Sequence, residues 1–242
     1  MLKDVVIVCI SGFRFTGDPE SGVKDLRDTL RDNLAPLGVP KENIFHRSWH
    51  KGREGDPGRT PNVNDIIKQI EKRSTNPSYL ALIGHSFGGW AACRVSRKTK
   101  RIPDFIGLLD PVFGVDNSME NRDKPRAKSI KNWCQDNAIF IPNDCSPISR
   151  IPCSSPYAGF ACGYKNVPGA ENNDVEYLMD WEGNPQKKDC ILYEINKLAT
   201  HMNMDDNRRL HRYIYEKIHS DINNMIIAAR NAQILLFLMK QN

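Results

Sequence analysis

Ser86, Asp110 and His201 are the residues of this chain whose types and placement can do covalent chemistry together. Ser86 stands in Gly84-His85-Ser86-Phe87-Gly88-Gly89, after the apolar run Tyr79-Leu80-Ala81-Leu82-Ile83 and before a helix-like segment, Trp90 to Lys98. A Gly-x-Ser-x-Gly stretch between a strand and a helix bends the backbone sharply, and a Cβ on either side would strike a neighbour. The bend lifts the hydroxyl above the sheet, at a helix N-terminus that favours developing negative charge. A serine nucleophile needs a base, and the base needs an orienting carboxylate. Asp110 directly follows the apolar run Phe105-Ile106-Gly107-Leu108-Leu109. His201 follows the run Cys190-Ile191-Leu192-Tyr193-Glu194-Ile195 after a short loop. In a parallel sheet the carboxyl ends of the strands share one edge, where ligands gather. The three side chains are therefore expected on that edge, with strands about 4.8 Å apart.

The chemistry would be acyl transfer. Ser86 Oγ attacks a carbonyl carbon, His201 takes and later returns the proton, and Asp110 holds the imidazole tautomer. The oxyanion needs backbone donors: the Phe87 N–H, and a second from Ser11-Gly12-Phe13, for which the Phe13 N–H is the first choice. Other histidines fit this scheme less well. His85 is expected to pack, since neighbours on a bent backbone point apart, while His46 and His50 lie where they could line a cleft. His211 and His219 are expected at the surface or at a cap. Asp144, Asp174, Asp180 and Asp189 do not directly follow a readable strand. Asp205-Asp206 reads as the cap of the final helix rather than a metal pair.

The elements that must position these residues alternate. Val5-Val6-Ile7-Val8-Cys9-Ile10 reads as a strand buried on both faces. A helix with Val23, Leu26, Leu30 and Leu34 follows and stops at Gly38. Then come a strand at 44–49, a helix carrying Ile66, Ile67 and Ile70 behind an Asn62 or Asn64 cap, and strands at 79–83, 105–109 and 190–195. This rhythm predicts an α/β fold with a doubly wound, mostly parallel sheet of about five or six strands flanked by helices. The chain is read as one domain, 1–242. Residues 112–188, rich in proline and cysteine, break the rhythm and read as a loop-rich cap. A helix runs from about Asp206 to His219, and a second, Asp221 to Met239, is apolar almost all round in its last turns. Burial against a sheet or another helix is the expectation for it. A homodimer contact and docking on a membrane surface are the alternatives, the latter disfavoured because the segment lacks a strongly basic face.

Composition narrows the rest. The chain has 242 residues, 40 % of them apolar and 26 % charged, with a net charge of +5, which is ordinary for a globular domain. The basic run Arg94 to Arg101 reads as a solvated helix end, and no module or aromatic interleaving accompanies it, so no nucleic-acid partner is expected. Val5–Ile10 is too short for a secretory h-region. A cytoplasmic, reduced protein is the default, and export without a signal is the alternative. Cys9 and Cys93 fall in core elements. Cys134, Cys145, Cys153, Cys162 and Cys190 cluster in the middle without zinc spacing, and a disulfide there would imply export. No cofactor and no metal are expected.

On these residues the chain resembles α/β-hydrolases of the lipase and esterase type. Gly84-His85-Ser86-Phe87-Gly88-Gly89 resembles the Gly-His-Ser-x-Gly-Gly elbow of many lipases. Leu108-Leu109-Asp110-Pro111-Val112 resembles the strand-end segment that carries the acid in some lipases, one strand earlier than in most of the superfamily. His201-Met202-Asn203-Met204-Asp205-Asp206 is similar to the loop-to-helix segment holding the histidine. Ser11-Gly12 stands where such proteins often show His-Gly, and the chain starts at what would be the third strand of the full fold. The resemblance implies a serine hydrolase acting on a small-molecule or lipid acyl ester through an acyl-enzyme. A thioesterase, amidase or peptidase with the same triad, or a non-catalytic scaffold on this fold, are the competing readings.

Overall fold

The computed structural model describes residues 2–13, 22–50, 60–137, 139–140, 149–150, 162–186 and 198–240. The apolar runs found in the sequence form the middle of a six-stranded, all-parallel sheet. The strands are β1 (Val6–Ser11), β2 (Ile44–Ser48), β3 (Leu80–His85), β4 (Phe105–Leu109), β5 (Ser129–Cys134) and β8 (Glu171–Asp174). They lie in the order β2-β1-β3-β4-β5-β8. Two two-residue strands, β6 (Ile139–Phe140) and β7 (Ser149–Arg150), pair antiparallel apart from it.

Side chains of a strand alternate between faces, and each face here has its own helical cover. Val6, Val8, Ile10, Leu80, Leu82, Ile106 and Leu108 form one core with α2 (Val63–Arg73) and α3 (Phe87–Lys98). Val5, Ile7, Cys9, Ala81, Ile83, Phe105 and Leu109 form the other with α1 (Gly22–Leu34) and the start of α4 (Arg208–Met239). Burial on both faces is why these strands read as unbroken apolar runs. Burial also pushes the Cys9 thiol up to about 12, so it packs as a small hydrophobe.

Several expectations are corrected. Residues 112–188 are not simply a cap, because β5 and β8 within them extend the central sheet. β5 was hidden by its polar residues: Asn132 is fully buried yet donates to Tyr164 O and Lys165 O and to Asn172 Oδ1 on β8. The strand expected at 190–195 lies outside the described residues. Asn62 does sit at the N-cap of α2, but its side chain makes no capping bond. The break expected between His219 and Asp221 is absent, and α4 is one helix of 32 residues. Its first half is buried through Leu210, Ile214, Ile218 and Ile222, whereas the last turns are exposed instead of packed. Four-residue spacing carries the apolar stripe only that far along the sheet face, and the helix then runs past it.

That division makes a direct prediction. Ile214→Ala should lower unfolding stability by about 2–5 kcal/mol through a cavity at the sheet face. Leu236→Ala should change it by no more than about 0.5 kcal/mol. Urea denaturation of both variants tests this, and equal losses would contradict the packing described.

Candidate active site

The elbow begins with a close approach. A Cβ on Gly88 would stand 2.1 Å from the Ile10 carbonyl oxygen, so α3 packs against β1 only with glycine there. The turn before it places Ser86 at φ 55°, ψ −129°, a backbone region that L-residues rarely occupy. The Ser86 N–H still finds a partner, donating to Leu109 O on β4 at 3.1 Å. Asp110, one residue past β4, is also left-handed at φ 46°, and its N–H donates to Trp133 O on β5. Two of the three non-glycine residues with positive φ among the described residues are thus Ser86 and Asp110. Such strain collects where the surrounding structure holds a side chain in one direction.

The structure brings Ser86, His201 and Asp110 together. Ser86 Oγ and His201 Nε2 are 2.9 Å apart, and His201 Nδ1 is 2.7 Å from Asp110 Oδ2. All three side chains are buried, Asp110 completely. The arrangement is consistent with a tautomer in which Nδ1–H donates to the carboxylate and Nε2 accepts the serine proton. The carboxylate takes further donors. Gln135 gives its backbone N–H to Oδ1 at 3.2 Å and its Nε2–H to Oδ2 at 3.0 Å, and Gly163 N–H donates to Oδ1 at 2.9 Å.

Sequence reasoning missed Gln135 and Gly163. Gln135 directly follows β5, one strand over from Asp110, so reading 129–134 as a strand was the signal that could have found it. Gly163 had none, since its partner is defined only by the fold. Gln135 reaches further: its Oε1 accepts from Asn137 N–H, and Asn137 Nδ2 donates to Ala199 O at 2.6 Å, two residues before His201. Asp110 and the His201 loop are therefore tied by one chain of hydrogen bonds.

The oxyanion candidates sit as follows. Phe87 opens α3 next to Ser86, and the Gly12 backbone lies so close that a Cβ there would stand 2.5 Å from Ser86 Cβ. The Phe13 ring meets Phe87 edge-to-face at 6.2 Å, and Trp49 packs on Phe87 at 4.7 Å. His46 Nε2 is 2.9 Å from Ser11 Oγ, beside this loop.

His85 packs as expected, and it also grips His201. Its Nε2–H donates to His201 O at 2.8 Å, its ring lies 5.2 Å from the His201 ring, and burial lowers its pKa. Asp205 does not cap α4, whose N-cap is Asn207; its carboxylate instead accepts from Val23 N–H in the first turn of α1. His211, expected at the surface or at a cap, is fully buried and donates from Nε2 to Asp205 O at 2.7 Å. Asp174 ends β8, but its side chain is largely exposed and 3.6 Å from Lys165 Nζ. Among the described residues no group of three or more His, Cys, Asp or Glu side chains is placed to hold a metal. Arg94 of the basic run is spent on Asp123 at 2.6 Å and Arg101 on Asp104. Cys134 is a buried free thiol, whereas Cys162, next to Gly163, is disulfide-bonded, which departs from the all-reduced reading. Cys145, Cys153 and Cys190 lie outside the described residues.

No protein-family model matches the chain, and no curated protein matches it. Among solved structures it is similar to a "putative YdeN-like hydrolase" of Pectobacterium atrosepticum. The identity is 15 %, with 71 % of this chain and 77 % of that chain covered and a TM-score of 0.39.

Burial of His211 carries a pH prediction. Loss of hydration is the main cause that holds its pKa at about 4 in the fold, against 6.5 ordinarily. Between those values the unfolded chain takes up a proton and the folded chain does not. The stabilisation is therefore complete above pH 6.5 and lost as pH falls toward 4, by about 3 kcal/mol at most. His211→Gln keeps a donor for Asp205 O without titrating. In urea denaturation at pH 6.5, 5 and 4 the variant should lose less stability than the parent; parallel losses would contradict the assignment.

Proposed function

We propose that this protein is a serine hydrolase of the α/β-hydrolase type, a lipase- or esterase-like enzyme that cleaves a carboxyl ester through an acyl-enzyme on Ser86. The observation that carries the reading is the continuous line from Ser86 Oγ through both nitrogens of His201 to Asp110. The neighbour described above adds no weight to it.

In the first half-reaction Ser86 Oγ attacks the ester carbonyl while His201 Nε2 takes its proton. The imidazolium so formed lies against the buried Asp110 carboxylate, which stabilises the new charge. The oxyanion is met by the Phe87 N–H and by the Phe13 N–H. His201 then gives the proton to the leaving alcohol, and the acyl group stays on Ser86. A water molecule, deprotonated by the same nitrogen, attacks the acyl carbon, and the proton returns to Ser86 as the acid departs. Every proton passes through one imidazole atom, which is why the Asp110–Nδ1 contact matters: it keeps Nε2 free to accept.

A fluorophosphonate probe and a panel of ester, thioester and amide substrates test the reading. The parent should be labelled and turn over esters best; Ser86→Ala should do neither while remaining folded. Labelling without Ser86, or residual turnover within tenfold of the parent, would overturn it, and no turnover with no labelling would favour the scaffold. Preference for thioesters or amides would move the substrate class while keeping the triad. Asp110→Asn should lower kcat by about 10⁴, as in a comparable triad, because an amide N–H facing Nδ1 selects the wrong tautomer.

A further inference from the structure

The two halves of α4 have opposite surroundings. Leu210, Ile214, Ile218 and Ile222 are sealed against the sheet, and Asp221 is held there by Tyr79 Oη–H at 2.8 Å. Packing fades at Met225 and Ile226, and every residue from Asn231 to Lys240 is exposed. Six consecutive apolar side chains, Ile234 to Met239, are between 51 % and 75 % exposed. At about 100° per residue, six successive positions occupy every side of a helix. A second protein surface covers one stripe and would leave the remaining leucines and Phe237 in water. Hydrocarbon covers all sides at once.

Charge favours the same occupant. From Ile222 to Asn242 the chain holds no acidic residue and two cations, Arg230 and Lys240, which bracket the apolar turns. Two copies of this helix would bring like charges together, whereas anionic headgroups would be attracted at about the level of each cation. α4 is long and apolar enough to cross a membrane by length and composition alone. Asn223, Asn224, Arg230, Asn231 and Gln233 interrupt that stretch and keep its lower part in water. Ile234 to Met239 rise only about 9 Å, the depth of the headgroup and upper acyl region.

We infer that the end of α4 docks this protein on anionic phospholipid bilayers, with Ile234–Met239 immersed in one leaflet and Arg230 and Lys240 at the phosphates. Arg230 and Lys240 are about 15 Å apart along the axis, so the helix end enters obliquely, and the aliphatic stem of Lys240 lets its ammonium reach back to the phosphates. The sheet-bound half of the helix holds the domain at the surface.

Flotation of the full chain with phosphatidylcholine vesicles, with and without phosphatidylglycerol, tests this. The parent should float with the anionic vesicles and much less with the neutral ones. Leu235→Ser with Phe237→Ser should lower the bound fraction at least about tenfold, since two large apolar side chains are removed. Arg230→Gln with Lys240→Gln should lower it about fivefold or more on anionic vesicles. All four positions are exposed, so far-UV circular dichroism should be unchanged. Absence of flotation, flotation insensitive to both pairs, or equal binding to neutral vesicles would overturn the inference. So would a dimer in sedimentation, broken by the Leu235/Phe237 pair, that ignores vesicles. The readout is binding and not turnover, so its failure and that of the hydrolase reading are separate results.

Discussion

The Asp110 carboxylate is the constraint on which the rest of the site depends. A carboxylate with no exposure to solvent must have its lone pairs satisfied from within, because burying an unpaired charge is strongly unfavourable. Four N–H groups from three segments meet it: two from Gln135, one from Gly163 and one from His201. None is its sequence neighbour. The carboxylate therefore exists in this form only when β4, β5, the 162–164 segment and the His201 loop are all in place.

This requirement explains the shape of the sheet edge. Strand-end ladders continue past the strands themselves: Ser86 N–H bonds to Leu109 O, Asp110 N–H to Trp133 O, and Tyr164 N–H to Pro111 O. Backbone strain at Ser86 and Asp110 is held by these bonds, so each left-handed residue leans on the next strand of the sheet, Ser86 on β4 and Asp110 on β5. Removing β4 would remove the partner of the Ser86 N–H, and removing β5 that of the Asp110 N–H. Strain and satisfaction of buried polar groups are here the same set of hydrogen bonds viewed from two sides.

How much was legible follows from what each residue depends on. β1, β3 and β4 were readable because burial on both faces demands apolar residues throughout, and Ser86 and Asp110 were readable because each closes such a run. β5 and β8 were not, since Asn132 on β5 donates to Asn172 on β8 inside the fold and the pair leaves a polar strand pattern in the sequence. Gln135 was lost with β5. In α4 the pattern was legible but its surroundings were not: Ile214 and Leu236 are both apolar residues on one helix, and only the extent of the sheet decides which is covered. His211 was misread for the opposite reason, a polar residue buried because a backbone carbonyl, Asp205 O, awaits it.

His201 is gripped in a way that follows from the bend at residues 85 and 86. Consecutive side chains on a sharp turn diverge, and here both reach the same residue. Ser86 Oγ meets the His201 ring at Nε2, while His85 Nε2–H holds the His201 carbonyl. With Asp110 on Nδ1, the imidazole is fixed at both ring nitrogens and its backbone at a third point. Proton transfer needs donor and acceptor within a few tenths of an ångström of the working distance. By taking two of those three constraints from adjacent residues of one rigid elbow, the fold makes the serine–histidine distance insensitive to movements elsewhere along the sheet edge. The third constraint, Asp110, comes from the neighbouring strand, whose ladder to β3 fixes it in the same frame.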